Sequence, residues 1–471
     1  MPGLPRHAAF TSAYPIAAAI AAAALLFCWP AIYNGFPLVY GDTASYLDTV
    51  DPRKTLWARQ IFYTALLRLM HWHISLWPAI FIQALLTAHI LYLVVRAMLP
   101  RLQLELYVFI AAILALTTSL PWHTSALLPD CFTPILVLGV FLLAFCRGSL
   151  HRFEIAYLVA LVALAAVIHL SHIPLAIGLI VVVFALRLAF RMRDGKGART
   201  SLLLVAPVLA AASAHLGINT AVHSSFSLSP ASSIWLLARF IADGPAQAYL
   251  RDECPTRPFV LCAYLAELPN DSDEFLWGQR TSDSVFNRAG GYPVLRDEAR
   301  AIVKGTLARY PGWVLGAFVK NAARQFVDVG TGHWLHFGAN MLEQPISEYI
   351  RVQFPRAYAQ YENSAQLKEA IPIAALAAWH VGFVVIGALT CALLLVRARS
   401  QPRPFILLLF MVLAALIGNA MVTGGISAVH DRYQTRVVWL IVFVACVGTL
   451  AYIRNPVPAG HHADSRSSQP T

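Results

Sequence analysis

Two acids and two arginines are the residues whose types and spacing could do chemistry in this chain. Asp42 breaks a long silence, because from Ala8 to Gly41 there is no Asp, Glu, Lys or Arg. It stands in Tyr40-Gly41-Asp42-Thr43-Ala44-Ser45-Tyr46-Leu47, directly after an apolar run. A carboxylate at the end of a membrane span is either a helix-end or loop acid or, if ionised and within reach of the proton, a general base toward a hydroxyl. Asp130 lies in Leu128-Pro129-Asp130-Cys131-Phe132-Thr133-Pro134, just ahead of another apolar stretch. An Asp there caps first-turn N–H groups and suits the helix dipole, and a cap can carry a second role. The third piece is His430-Asp431-Arg432-Tyr433-Gln434-Thr435-Arg436. Two arginines four apart share a helix face. The planar guanidinium donates in pairs and keeps its charge, so Arg432 and Arg436 can grip a phosphate; snorkelling at the interface is the plain alternative.

Arg59 is a third candidate for the phosphate. Tyr46, Tyr63, His123, His172, His430 and Tyr433 complete the set expected to contact substrate. His169 and His172 flank a polar break in the apolar pattern, where a hydrogen-bonded core histidine is the common alternative. His71/His73 and His333/His336 lack a third partner at ligand spacing, so no residue is assigned to a metal. Trp235, Trp277 and Trp334 either stack on sugar faces or fill a core.

The elements that position these residues follow from composition. Of 471 residues, 58% are hydrophobic and 13% charged, and the mean hydropathy is +0.62. A soluble domain carries about 25% charged residues, so the chain reads as an all-α polytopic membrane protein. Charge-free windows place about ten spans, near 13–33, 76–95, 106–121, 134–146, 155–169, 174–190, 201–218, 371–395, 404–422 and 437–453. The first is long, ends at Trp29-Pro30 and is followed by further spans, so it reads as a span and not as a cleaved leader.

The net charge of +11 does not indicate nucleic acid. Residues 239–369 hold 14 Lys/Arg against 15 Asp/Glu, and the excess sits in short connections. Alternate connections are basic, at Arg96/Arg101, Arg147/Arg152, Arg187–Arg199, Arg397–Arg403 and Arg454, while 122–133 and 170–173 have no Lys or Arg. Basic connections stay cytoplasmic, which puts both termini inside and Asp42, Arg59, His123, Asp130, His169, His172 and His430–Arg432 outside. The expected organisation is an N-terminal transmembrane module over 1–219, a mostly helical extracytoplasmic domain over 220–370, a C-terminal transmembrane module over 371–456 and a disordered cytoplasmic tail over 457–471. Leu56, Ile61/Phe62, Leu66 and Leu69 mark an interfacial helix over Thr55–Trp72 in the first outer loop, and Pro311–Val327 is a second. None of the seven cysteines forms a CxxC pair; Cys254 and Cys262, eight apart and outside the cytoplasm, fit a disulfide.

Gly41-Asp42-x-x-x-Tyr46-Leu47, followed by Arg59-Gln60-Ile61-Phe62-Tyr63, resembles the first outer loop of the GT-C superfamily. These are integral membrane glycosyltransferases that use polyprenyl-phosphate-linked sugars, such as aminoarabinose transferases of lipid A and protein O-mannosyltransferases. Asp130 is similar to an acid that members carry before the fourth span, and Arg432-Tyr433 to their C-terminal Arg-Tyr segment. Here a single acid stands where many members have a pair, and Gln60-Ile61 replaces two prolines. The resemblance covers about the first 150 residues and, loosely, the last 40. It implies an enzyme of the bacterial inner membrane that moves a sugar from a polyprenyl-phosphate donor to a glycan, lipid or protein hydroxyl, with inversion. Asp42 would be the base, Asp130 an aid to the acceptor, the arginines the phosphate grip, and a divalent metal a possible cofactor. A lipid-linked oligosaccharide polymerase or ligase, and a lipid or solute transporter, are the alternatives.

Overall fold

The computed structural model describes residues 13–47, 61–99, 103–192, 197–278, 284–336, 345–397 and 403–454. Among these, every regular element is helical, and the one extended pairing is an isolated parallel bridge between Leu38 and Ala126. The principal helices in chain order are α1 (Ala13–Phe27), α2 (Gly41–Leu47), α3 (Ile61–His71), α4 (Trp77–Met98), α5 (Leu104–Thr117), α6 (Phe132–Phe145), α7 (Arg152–Ile168), α8 (His172–Ala189) and α9 (Gly197–His223). They continue as α10 (Ser232–Ala242), α11 (Gly291–Arg309), α12 (Pro311–Val327), α13 (Ile373–Val396), α14 (Arg403–Thr423), α15 (Asp431–Val438) and α16 (Leu440–Arg454).

Six of these runs are long and apolar enough to cross a membrane: α4, α8, α9, α13, α14 and the joined stretch Asp431–Arg454. The ten apolar windows of the sequence all fall on helix, but α1, α5, α6 and α7 have only 15, 14, 14 and 17 residues. At 1.5 Å per residue these are shorter than the ~20-residue span of a bilayer core. The first window is not one helix either; a separate turn, Trp29–Asn34, follows α1 and ends on left-handed Gly35.

Helix α6 sits at the centre, buried from Phe132 to Ala144 and packed on α4, α7 and α8. Being apolar all round, it has no face to give to water. At the periphery, α13 leaves Val385, Ile386, Leu389 and Leu393 exposed while packing on α16. That packing is close because Gly387 carries no side chain: a Cβ there would lie 3.2 Å from Val442 Cα, the small-residue contact that lets membrane helices approach.

The two ends of the bundle differ. Arg96 grips Glu154 with two bonds of 2.8 and 2.7 Å, Arg147 donates to Thr200, and Arg397 donates to Tyr452. Helices α4, α6, α8 and the 431–454 run each have an arginine at or just past their C-terminal ends: Arg96, Arg147, Arg187 and Arg454. Asp130, His172 and Arg432 lie at the opposite ends of three of the same helices.

Residues 231–303 enclose a separate core built on Leu237, Phe240, Phe275, Leu295 and Ile302. The Cys254–Cys262 disulfide forms beside it. Trp334, Leu335, Ile346, Ile350, Phe354, Tyr361 and Ile371, by contrast, pack on the core of the transmembrane body. Helix α12 is inside out: Asn321 and Gln325 are buried against the body, while Leu315, Val319 and Val327 are 57–70% exposed. In α3 the buried stripe is Tyr63, Leu67 and Met70, whereas Leu69 points outward. The apolar stripe expected to lie in the interface, through Phe62, Leu66 and Leu69, is thus a different face from the one turned to the protein. The Tyr63 hydroxyl, bonded at 2.6 Å to Gln83 of α4, fixes the rotation of this helix. Thr55–Gln60, with Arg59, lies outside the described residues, as does the 457–471 tail.

Candidate functional site

The Leu38–Ala126 bridge is the frame of the site. Leu38 N–H donates to the Ser125 carbonyl and Leu127 N–H to the Leu38 carbonyl, both at 2.9 Å. Asp42 and Asp130 each lie four residues downstream of the bridged pair. Two parallel segments in register thus deliver both carboxylates to one place. Side-chain amides hold the outer edges of the pair. Gln366 receives the Val39 N–H and donates to its carbonyl, and Gln83 donates to the Thr124 and Ala126 carbonyls. Thr43 receives the Tyr40 N–H and donates to the Leu127 carbonyl, which starts α2 with Asp42 in its first turn.

Helix α15 brings the arginines to the acids. Arg432 Nη2 meets Asp42 Oδ2 at 3.1 Å, and its Nε lies 3.8 Å from Asp130 Oδ2. Arg436 Nη1 meets Asp130 Oδ1 at 3.0 Å. Asn419 accepts two further bonds from Arg436, at 3.2 and 2.7 Å, and Ser171 accepts one at 3.2 Å. Tyr40 lies 4.3 Å from the Arg432 guanidinium, and Tyr433 flanks both arginines at 5.1 and 5.4 Å. Aromatic faces stabilise a cation held away from water. The four side chains that the sequence places on one side of the membrane thus form one continuous cluster.

Its two acids are not equivalent. The side chain of Asp130 is 2% exposed and that of Asp42 17%. Asp130 forms no capping bond at the start of α6, because its oxygens face arginines instead. That replaces the capping role expected from its position. Burial pushes the Asp130 carboxyl up, but Arg432 and Arg436 more than offset this and hold it well below the usual carboxylate range. Arg432 is also not fully satisfied: among the described residues its buried Nη1 has no hydrogen-bond partner.

The remaining candidates separate into groups. His123 is fully buried, with Nε2 3.1 Å from Thr435 Oγ1 and its ring stacked on Trp334. Burial pushes it down to about 3, partly offset by Asp130, so it is neutral. His172 spends both nitrogens on Thr133 Oγ1 and the Ala165 carbonyl, a structural bridge between α6 and α7. His430 Nε2 pairs with Asp273 Oδ2 at 3.0 Å, and Gln325 takes both its backbone N–H and its carbonyl. This ties the 231–303 unit and α12 to the residue just before Asp431. Tyr46 of α2 and Tyr63 of α3 are buried and meet edge to face at 4.9 Å, which packs the helix that carries Asp42 on α3. Arg59 lies outside the described residues.

The sequence reading missed Tyr40, Gln83, Gln366 and Asn419. A signal existed for two of them: Gln83 and Asn419 are lone amides inside charge-free windows, where an unpaired amide is costly in lipid. Among the described residues no group of three or more His, Cys, Asp or Glu can hold a metal ion. Asp42 and Asp130, both engaged by guanidinium, do not fit a divalent cation as a donor set. No family model, curated protein or solved structure matches the chain.

Proposed function

We propose that this chain is an integral membrane glycosyltransferase that moves a sugar from a polyprenyl-phosphate donor to an acceptor hydroxyl, with inversion. The observation that carries the reading is the unsatisfied Arg432 Nη1 beside the Arg432–Asp42 pair. A buried guanidinium N–H without a partner calls for an acceptor, and a phosphate oxygen is a strong one for Arg. Asp42, bonded to Nη2 of the same guanidinium, is the more exposed of the two paired carboxylates, so a leaving group held at Nη1 and a base would share one side chain. The donor phosphate takes the Nη1 site. Asp42 accepts the proton of the acceptor hydroxyl, the oxygen attacks the anomeric carbon, and the bond from that carbon to the phosphate oxygen breaks. The electron pair leaves with the polyprenyl phosphate, whose charge Arg432 stabilises. Asp130 and Arg436 hold Arg432 in place. The resemblance to the GT-C superfamily supports the same assignment.

Binding isotherms for decaprenyl phosphate in nanodiscs test the phosphate grip. Arg432→Ala is expected to weaken binding at least tenfold, and Arg403→Ala, at the other end of the bundle, less than twofold. Equal effects of the two would remove the argument.

In this reading the protein is an inner-membrane protein of a bacterium, with ten spans, both termini cytoplasmic and the site at the outer face. The short helices α1, α5, α6 and α7 cross with help from their flanking turns, and exposed apolar α12 lies in the outer leaflet. Labelling of single cysteines in intact cells checks the orientation: Thr256→Cys is expected to react with an impermeant maleimide and Ser201→Cys only after lysis. The reverse pattern puts the site on the wrong side for a donor exposed outside the cytoplasm.

A further inference from the structure

A second set of unsatisfied polar atoms lies on His123, which meets α15 at Thr435, three residues after Arg432, and on Trp334 stacked against it. Thr435 Oγ1 donates to the Asp431 carbonyl at 2.9 Å. The same oxygen also lies 3.1 Å from His123 Nε2; with the hydroxyl proton assigned to the backbone carbonyl, the imidazole proton is assigned to Nε2. His123 Nδ1 is left as a bare acceptor, buried and without a partner. Trp334 stacks on the same ring at 5.2 Å and 22°, and its Nε1–H, a donor only, is also buried and without a partner. His123 and Trp334 are 1% and 3% exposed.

The stack is fixed from both sides. Thr435 and Arg432 are three apart on α15. The Trp334 loop is anchored where Gly332 N–H donates to Asp431 Oδ2 at 3.1 Å. Gly332 has φ +141, and a Cβ there would collide with Ile373. The loop therefore presses on the start of α13, and Trp334 has little freedom to leave His123.

One indole donor beside one imidazole acceptor, on facing rings, matches a group that both donates and accepts: a hydroxyl. Apolar or purely anionic groups satisfy at most one of the two. Arg432 and the Thr435 that His123 touches are three residues apart on α15, a rise of about 4.5 Å, comparable to the width of a sugar ring. Resting on the phosphate reading above, we propose that His123 and Trp334 form the hydroxyl-recognition subsite for the sugar of a polyprenyl-phosphate donor. The neutral imidazole keeps its lone pair throughout the physiological range, so recognition does not titrate there. Sites built to hydrogen-bond a hydroxyl reject ligands that lack it strongly, because both protein groups are then buried unpaired.

The test compares bare decaprenyl phosphate with a panel of decaprenyl-phosphate hexoses and pentoses on the full-length protein in nanodiscs. At least one glycosylated lipid is expected to bind tenfold or more tightly than the bare lipid. Trp334→Phe, which keeps the stacked ring and removes only the N–H, and His123→Phe are each expected to abolish that gain and to leave bare-lipid affinity within twofold. Full retention of the gain in folded Trp334→Phe overturns the subsite. So does a wild-type protein that binds the bare lipid through Arg432 with no gain from any sugar; the phosphate grip then stands alone. If bare-lipid binding does not depend on Arg432, the parent reading fails and this one with it.

Discussion

Asp42→Asn is expected to lower sugar transfer by about 10²–10⁴-fold, the range for loss of a general base, with little change in folding. The substitution keeps the shape and leaves an oxygen to accept from Arg432 Nη2 at 3.1 Å, but removes the proton acceptor. Asp42 carries this effect, rather than Asp130, because of how each is held. Asp130 is sealed between two guanidinium groups at 2% exposure, and its charge is spent on holding them. Asp42 is the more open of the two, at the first turn of a short helix. The check is transfer from a polyprenyl-phosphate sugar in proteoliposomes, read beside thermal unfolding of the same sample. A variant that transfers at the wild-type rate would falsify the base assignment.

Asp130→Leu is expected to act on the fold first. It leaves Arg436, fully buried, facing Arg432 without the carboxylate between them. Breaking a buried pair by removing one partner typically destabilises by about 3–5 kcal/mol, a large part of the stability of an ordinary domain. A marked drop in the unfolding midpoint, partly recovered when Arg436→Gln is added, is the outcome to look for. An unchanged midpoint would mean that the cluster does not hold α15 against α6. The same pair sets a pH dependence. The folded carboxyl of Asp130 lies below its unfolded value, so its contribution is present above the unfolded value of about 4 and is lost as pH falls below it toward the folded one. From neutrality down to about pH 4 this carboxyl therefore stays ionised, and any acid limb of activity in that range comes from another group.

The membrane class and the helical character could be read from the sequence because both depend on averages: charge content, apolar run length and the side on which arginines accumulate. The positions of Asp42, Asp130, Arg432 and Arg436 were legible for a related reason, since a charge at the edge of an apolar run is conspicuous. Their roles within the cluster were not. Asp130 resembles a helix cap in sequence, and only three-dimensional placement shows its oxygens turned to arginines 302 and 306 residues away in the chain. His172 resembles a site residue and is a buried strut, because its Nδ1–H donates to a carbonyl on α7 while its Nε2 accepts from a threonine hydroxyl on α6. The clips made by Gln83 and Gln366 join segments 41 to 43 and 327 residues apart, which no local pattern encodes. The spacing in α3 marked an apolar stripe for the interface but not the face that packs on the protein, which a tyrosine hydroxyl reaching Gln83 fixes.

The Leu38–Ala126 rung carries one more implication. Both carboxylates are counted off from it by the same number of residues, so their meeting depends on arithmetic more than on chemistry in the intervening chain. Swapping side chains between rung and acid leaves that count intact, whereas gaining or losing a single residue in either segment rotates its carboxylate away from the arginines. Apart from Tyr40, whose ring lies on Arg432, length more than identity is what these two stretches have to preserve.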